Sequence, residues 1–342
     1  MSTNPQRRPS TGPRIGIIGC GNISRSHLTN LAESDIAQAW AYADVRRTAA
    51  DQYLEDFGGS YATDDMDRLL ADPAIDIILI ATPDKLHAEH ALKVLATGKH
   101  LFLEKPMATT VSDALRVQRA AAASPGKFMV DFKFRFAHAS VVSREFVQHP
   151  LTIFGQSVGD PEPDGHWRLD PRLSAGVMFD LGPHLFDLIY WLAGEAEPTR
   201  IYAEGGAIQR PGSPLVDNLI TTFRFANDVR ATAIVGNACQ SGFASKWMLE
   251  SFGGDVSATI YDHAQSVSLR RAGGEIVPAS IPDGRSTRDD LKRAFFSFIT
   301  AVVNGTAPPV GAADGVRATR MIEAAIDSAT SGRPVDLTPI TA

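Results

Sequence analysis

The sequence predicts an α/β protein, with a doubly wound parallel sheet at the N-terminus followed by a second domain of α+β type. Three observations carry that expectation. From Arg14 to about Asp131, short apolar runs alternate with amphipathic stretches. The run at 76–81 is apolar at every position after its first, as a parallel strand covered on both faces requires. Beyond about residue 132, strand-like runs follow one another with turn residues rather than helices between them. Strand and helix in alternation imply a parallel sheet, and strands in succession imply an antiparallel or mixed one.

In chain order, strands are expected at 14–19, 38–43, 76–81, 100–103 and 127–132. Helices are expected near 23–32, 47–57, 64–71, 85–97 and 111–123. A helical stretch around 174–192 then precedes strand-like runs at 200–208, 216–225, 229–235, 246–252 and 256–261. Asn227-Asp228 supplies a hairpin turn between two of these. Helices near 289–304 and 314–329 close the chain. Residues 1–13 are expected as a disordered tail, 14–132 as the first domain and 133–342 as the second.

A length of 342 residues suits two domains, and 44% hydrophobic with 21% charged residues is a globular composition. The formal charge of −6, from 33 basic and 39 acidic residues, argues against a nucleic-acid partner, which calls for a basic excess. Cys20 and Cys239 stand far apart without metal-ligand spacing, so neither a disulfide framework nor a structural zinc is expected. That usage fits a cytoplasmic location. Arg7-Arg8 lacks the apolar stretch of an export signal, and no run reaches the ~20 apolar residues of a membrane span.

Gly19-Cys20-Gly21-Asn22-Ile23-Ser24 follows the first strand and opens the first helix. In a Rossmann dinucleotide site the first glycine allows the tight turn and the second lets the pyrophosphate approach the backbone. The third position favours close packing of strand and helix, whose N-terminus offers amide donors. Ser24 at that third position is a small departure. Asp44 ends the second strand, 20 residues beyond Ser24, at the spacing of a carboxylate that binds ribose hydroxyls. It favours NAD; Arg46 and Arg47 keep NADP possible. The bland alternative for this stretch is a solvated helix start.

Glu104-Lys105-Pro106 follows the strand at 100–103, at the carboxyl edge of the sheet where ligands bind. Lys105 is placed to hydrogen-bond a substrate hydroxyl, with Glu104 holding the ammonium; the bland alternative is a surface ion pair. Asp180, His184 and Asp187 are spaced i, i+4, i+7, along one face of a helix. Gly182-Pro183 is expected to kink that helix at the site. A histidine with a carboxylate one turn away suits proton exchange, and Trp167-Arg168 upstream can stack on and hydrogen-bond a sugar-like ligand. A metal at His184, Asp180 and Asp187 is the competing reading. It lacks a further strong ligand, because His87, His90, His138 and His166 show no clear metal spacing, so no metal is expected. His87 is expected to face the cofactor, and His90 solvent. Along the strand expected at 127–136, Phe132, Phe134 and Phe136 share one face and Asp131, Lys133 and Arg135 the other, from which Lys133 and Arg135 can reach the cleft.

At these residues the chain resembles the family of glucose–fructose oxidoreductase, inositol 2-dehydrogenase and the MocA rhizopine-catabolism protein. The resemblance covers nearly all of the chain beyond the tail. It rests on Gly19-Cys20-Gly21-Asn22-Ile23, Ala81-Thr82-Pro83 with His87, Glu104-Lys105-Pro106, Arg135-Phe136, and Gly176 through Asp180, Gly182 and His184 to Asp187. It implies an open-faced, mostly antiparallel second sheet that builds an oligomer interface, so a homodimer or homotetramer is expected. It implies an active site of Lys105, Asp180 and His184. Ser24, Asp84 and Ser174-Ala175 depart from its usual pattern without removing a catalytic side chain.

The expected activity is hydride transfer between nicotinamide and a secondary alcohol of a sugar, cyclitol or related polyol. His184 is expected to take the hydroxyl proton, oriented and made more basic by Asp180, while Lys105 donates to the same oxygen; Lys105 remains open as the immediate acceptor. The expected cofactor contacts are Gly19, Gly21, Asn22, Ile23, Asp44, Thr82, Pro83, His87, Glu104 and Lys105. Substrate contacts are expected from Lys105, Lys133, Trp167, Arg168, Asp180 and His184. A catalytically silent dinucleotide-binding regulator and an NAD-assisted glycosidase remain as alternatives.

Overall fold

A computed structural model describes residues 12–238, 246–279 and 289–338. Arg7-Arg8, most of the expected tail and Cys239 lie outside the described residues. Six parallel strands form the first sheet: β1 (Arg14–Ile18), β2 (Gln38–Ala43), β3 (Tyr61–Thr63), β4 (Ile77–Ile80), β5 (His100–Leu103) and β6 (Phe128–Val130). Their order is β3-β2-β1-β4-β5-β6, so the direction of winding reverses between β1 and β4. This is the doubly wound sheet that the alternating pattern predicts. Helices α1 (Asn22–Ala32), α2 (Arg47–Phe57), α3 (Met66–Ala71), α4 (His87–Ala96) and α5 (Val111–Ala123) make the connections. All four residues of β4 are fully buried, because helices cover both faces of a central parallel strand. The three-residue β3 is too short to leave a periodic signal in the sequence.

The second sheet has nine strands and is mostly antiparallel, again as predicted. It begins after α6 (His138–Phe146) with β7 (Thr152–Val158), and α7 (Val177–Asp180) and α8 (Gly182–Leu192) follow. Then come β8 (Pro198–Gly206), β9 (Asn218–Phe225), β10 (Arg230–Gly236), β11 (Trp247–Phe252), β12 (Val256–Tyr261), β13 (Ser266–Arg271) and β14 (Ile276–Val277). The chain closes with α9 (Asp290–Asn304), α10 (Ala312–Ser331) and β15 (Val335–Asp336). The strand order is β14-β13-β12-β11-β7-β10-β9-β8-β15, and β7 with β10 is its parallel pair. Asp228 takes a left-handed conformation in the turn between β9 and β10, where Asn227-Asp228 predicts a hairpin.

Strand β9 alternates buried and exposed residues, with Leu219, Thr221, Phe223 and Phe225 inward and Ile220 outward. One face of this sheet packs on α8 and α10 and the other is open. Although α9 follows the second sheet in sequence, its Phe295 and Phe298 lie in the core of the first, against Phe102. Among the described residues, no helix is long and apolar enough to cross a membrane.

The expected strand at 127–136 requires correction. Strand β6 ends at Val130, and Lys133–Phe136 is a 3₁₀ turn. Such a turn advances about three residues per revolution, so the two-residue alternation of the sequence does not sort its side chains into two faces. Asp131, Phe132, Phe134 and Arg135 are all buried, and only Lys133 reaches the cleft.

Candidate active site

The loop from β1 into α1 shows why its residues are small. Gly19 has φ of +94°, and a Cβ there would lie 2.5 Å from the carbonyl oxygen of Ala81. A Cβ on Gly21 would meet nothing within 4 Å, so that backbone stands open to the cleft. Ser24, the departure at the third position, is fully buried and donates its hydroxyl to Gly19 O at 2.7 Å. Its oxygen accepts from the Gly21 amide at 3.1 Å, so the hydroxyl ties the loop to the first turn of the helix. Asp44 Oδ2 accepts from the Cys20 amide at 2.9 Å, and Oδ1 accepts from the Arg46 amide at 2.8 Å. Arg46 Nε lies 3.4 Å from the same Oδ1, and its largely exposed side chain stands at the edge of the cleft. Burial, reinforced by Asp44, pushes the Cys20 thiol up to about 12 and keeps it protonated.

A single cleft of about 1130 Å³ begins at this loop. Gly19, Gly21, Asn22, Ile23 and Asp44 line it, together with Thr82, Pro83 and His87. Lys105, Lys133, Trp167, Arg168, Asp180 and His184 line it as well. The structure therefore brings together along one cavity every residue expected to contact cofactor or substrate, Glu104 included. An accessible glycine backbone at a helix N-terminus, with a carboxylate beyond it, fits a dinucleotide: amides for the phosphates and an acceptor for ribose hydroxyls.

Lys105 extends from the end of β5 to the end of α7. Its ammonium donates to Asp180 Oδ1 at 2.8 Å and to the Asp180 carbonyl at 2.9 Å. Arg168 Nε lies 3.4 Å from the other carboxylate oxygen of Asp180, and its Nη1 donates to Glu162 at 2.9 Å. Burial by itself would favour the neutral acid, but Lys105 and Arg168 outweigh it and hold Asp180 below the usual carboxylate range. The Arg168 guanidinium also covers the ring of Trp167, which is 39% exposed at the cleft mouth. Burial, then the charges of Lys105 and Lys133, push His184 well below the ordinary 6.5 and keep its ring neutral.

Four sequence expectations change here. First, Glu104 does not hold the Lys105 ammonium. Its carboxylate points into the core, where it accepts from His27 Nε2 at 2.9 Å and from the Lys105 amide at 3.2 Å. Successive residues of an extended segment project to opposite sides. Second, Asp180 does not orient His184. The helix breaks at Leu181, between α7 and α8, and Asp180 is engaged by Lys105 and Arg168. The Nδ1 of His184 is buried without a hydrogen-bond partner among the described residues. Third, Asp187 lies outside the cleft, bound bidentately by Arg135, which also reaches Asp314 at 2.9 Å. Burial works against the Arg135 charge, but the two carboxylates outweigh it and raise its pKa. Fourth, His90 is half-buried rather than solvated, with Nδ1 3.2 Å from the Thr82 hydroxyl.

His87 lines the cleft but is itself almost fully buried. Its ring nitrogens lie 2.6 and 2.8 Å from the carbonyl oxygens of Pro106 and Thr82, so it links two loops of the site. Sequence reasoning missed a third link. Asp84 Oδ2 accepts from the Ser174 hydroxyl at 3.1 Å and from the Ala175 amide at 3.2 Å, joining the loop after β4 to the segment before α7. Both residues stood out only as departures from a pattern, and their 90-residue separation hid the contact. Glu162, the partner of Arg168, carried no sequence signal.

Two family models match the chain. One, described as an oxidoreductase family with an NAD-binding Rossmann fold, matches residues 13–132. The other, the GFO/IDH/MocA C-terminal domain, matches residues 149–260. The chain is 26% identical to the myo-inositol 2-dehydrogenase of Thermotoga maritima, over 95% of this chain and 98% of that one. It superposes on a levoglucosan dehydrogenase in complex with NADH and levoglucosan with a TM-score of 0.86, at 21% identity, covering 95% and 99% of the two chains. An aldose-aldose oxidoreductase from Caulobacter crescentus, complexed with glycerol, gives 0.84 at 23% identity, covering 95% and 100%. At these identities the structural matches speak for the fold.

Proposed function

The chain belongs to the GFO/IDH/MocA family of NAD-binding oxidoreductases, and on that premise we propose that it is a dehydrogenase of a secondary alcohol in a sugar, cyclitol or related polyol. The observation that carries this reading is the continuity of the cleft, from the glycine loop and Asp44 to Lys105, Asp180 and His184. The relatives named above act on polyols of this kind by their names, which supports the substrate class.

When bound, the nicotinamide supplies the redox chemistry, exchanging a hydride with the reacting carbon. The protein supplies the rest. Lys105, steadied on Asp180, donates a hydrogen bond to the reacting oxygen and stabilises the charge that grows on it. His184 accepts the hydroxyl proton, since burial and two nearby ammonium groups keep it in the neutral, accepting form. With Nδ1 closed off, Nε2 is the ring nitrogen that meets the substrate. Asp180 serves by holding Lys105 and Arg168 rather than by orienting the histidine. Trp167 offers an apolar face to the ring carbons, and Lys133 and Arg168 offer donors to further hydroxyls.

Asp44 favours NAD, because a 2′-phosphate beside its carboxylate would be repelled. The open face of the nine-stranded sheet, with Ile220 outward, favours a dimer or tetramer. Screening sugars, inositols, amino-cyclitols and sugar phosphates for NADH formation tests the activity. Failure of every polyol to reduce NAD or NADP, by protein that binds the cofactor, would overturn it.

A further inference from the structure

Beneath the cleft, at the carboxyl ends of β5 and β6, three side chains from separate elements meet inside the core. They are His27 on α1, Glu104 after β5 and Asp131 after β6, and they are 0%, 5% and 1% exposed. His27 Nε2 lies 2.9 Å from Glu104 Oε1 and 3.6 Å from Asp131 Oδ2. The rings of Phe102 and Phe295 stand edge-on to the imidazole at 5.4 and 5.1 Å, so the surroundings are apolar. Glu104 accepts two hydrogen bonds, from His27 and from the Lys105 amide. Neither oxygen of Asp131 has a hydrogen-bond partner among the described residues.

This arrangement is unbalanced if both acids are ionised. His27 Nε2 can offer the cluster no more than one N–H, and Glu104 is the nearer acceptor at 2.9 Å. A second bare carboxylate beside the first, itself 1% exposed, would add a like charge that His27 at 3.6 Å and Lys133 only partly offset. A protonated Asp131 removes that charge and gains an O–H, and an oxygen of the Glu104 carboxylate lies within 4.8 Å of one of its own to receive it. The pair lies at the root of both cationic arms of the cleft. Lys105 is the next residue after Glu104, and Lys133 is two residues after Asp131.

We propose that Asp131 is a positioning residue that, as the neutral partner in a carboxyl–carboxylate pair with Glu104, fixes the two chain segments presenting Lys105 and Lys133 to the cleft. The electrostatics agree. Burial and the adjacent Glu104 charge push Asp131 well above the ordinary 3.8; Lys133 opposes that rise, and Asp290 on α9 adds to it. Burial also opposes the charge on Glu104, but His27, Lys105 and Lys133 outweigh it and hold Glu104 below its usual value. The proposal rests on the assigned activity only for the use to which Lys105 is put, and its test needs no substrate.

The test uses the full-length protein, Asp131→Asn and Asp131→Ala. The unfolded chain loses this proton near the ordinary 3.8, while the folded chain keeps it, so the acid's contribution to stability falls as pH rises between the two values. Asparagine keeps an N–H donor at the same place and does not titrate. The melting temperature of Asp131→Asn relative to the parent should therefore climb as pH rises above the ordinary 3.8. An infrared carbonyl band of a protonated acid should be present at neutral pH and absent from that variant.

Positioning is read from the NMR signal of ¹³C-dimethylated Lys105, assigned by its loss in Lys105→Arg. It should stay in place in Asp131→Asn and shift in Asp131→Ala. A flat melting-temperature difference, a missing acid band, or an unmoved Lys105 signal in folded Asp131→Ala would overturn the proposal. So would a stoichiometric divalent metal in the purified protein, with a cation in place of the proton. If Asp131→Ala does not fold, the pH series and the infrared band of Asp131→Asn still decide.

Discussion

Lys105 and Asp180 join the two halves of the molecule at the cleft. One ammonium at the end of β5 donates to both the carboxylate and the main-chain carbonyl of a residue that closes α7. The contact spans 75 residues of sequence and leaves Lys105 16% exposed, so it is far from an incidental surface pair. Its geometry bears directly on what substitution should do.

Lys105→Met keeps the length of the side chain and removes its charge and donors. Kcat on the best substrate is expected to fall on the order of 10²-fold or more, with NAD affinity by calorimetry nearly unchanged. Normal turnover in the folded variant would remove Lys105 from the proposed chemistry.

His184→Asn should retain cofactor binding and lose ~10²- to 10⁴-fold in kcat, the usual span for a proton-transfer group. The pH dependence follows from the lowered pKa. The folded protein keeps His184 neutral below the ordinary 6.5, so the acid limb of kcat/KM should lie below that value. In the same window the unfolded chain binds a proton that the folded one refuses. Stability should therefore fall as pH drops below 6.5, and His184→Asn should lessen that fall. An acid limb above 6.5 would contradict the neutral-histidine assignment.

Cofactor preference should turn on Asp44. For the parent, kcat/KM with NAD is expected to exceed that with NADP by about tenfold or more, roughly 1.4 kcal/mol. Asp44→Ser should narrow or reverse the ratio, because Arg46 and the solvent-facing pocket remain. It should also weaken NAD binding, since the carboxylate holds the Cys20 amide. Equal use of both cofactors by the parent would show that Asp44 does not set the choice.

Asp187→Ala tests the separation of the buried ion pair from the cleft. Removing one partner leaves Arg135 charged and buried, with Asp314 as its remaining anion, at a cost of about 3–5 kcal/mol. Chemical denaturation should register that loss, while kcat at a temperature where the variant is folded should stay near the parent value. A catalytic defect without a stability defect would return Asp187 to the site.

Light scattering is expected to give a dimer or tetramer. A mass near 36.8 kDa at working concentrations would leave the open sheet face without its proposed cover.

Much of this protein was determined by local sequence alone. The apolar run that becomes β4 has to be a covered strand, and Gly19 has to be glycine at φ of +94° against the Ala81 carbonyl. Apart from the three-residue β3, the order of strands and helices through α5 follows from periodicity, because helix and strand impose different repeats on their apolar residues. The cleft residues were also legible, since the ends of β1, β2 and β5 must lie together at one edge of a parallel sheet.

Tertiary structure decided the pairings. Residues alone could not show that Lys105 takes Asp180 and leaves Glu104 to His27, that Asp187 answers Arg135, or that Asp84 ties down Ser174. Each pairing joins groups brought together by packing, and for Lys105 the neighbour that sequence adjacency favoured, Glu104, points the other way. The fate of Asp131 has the same origin. A strand continuing past Val130 would have turned it with Lys133 and Arg135 toward one face. The chain instead enters a 3₁₀ turn there, and burial beside Glu104, not position in the sequence, sets the charge it can carry.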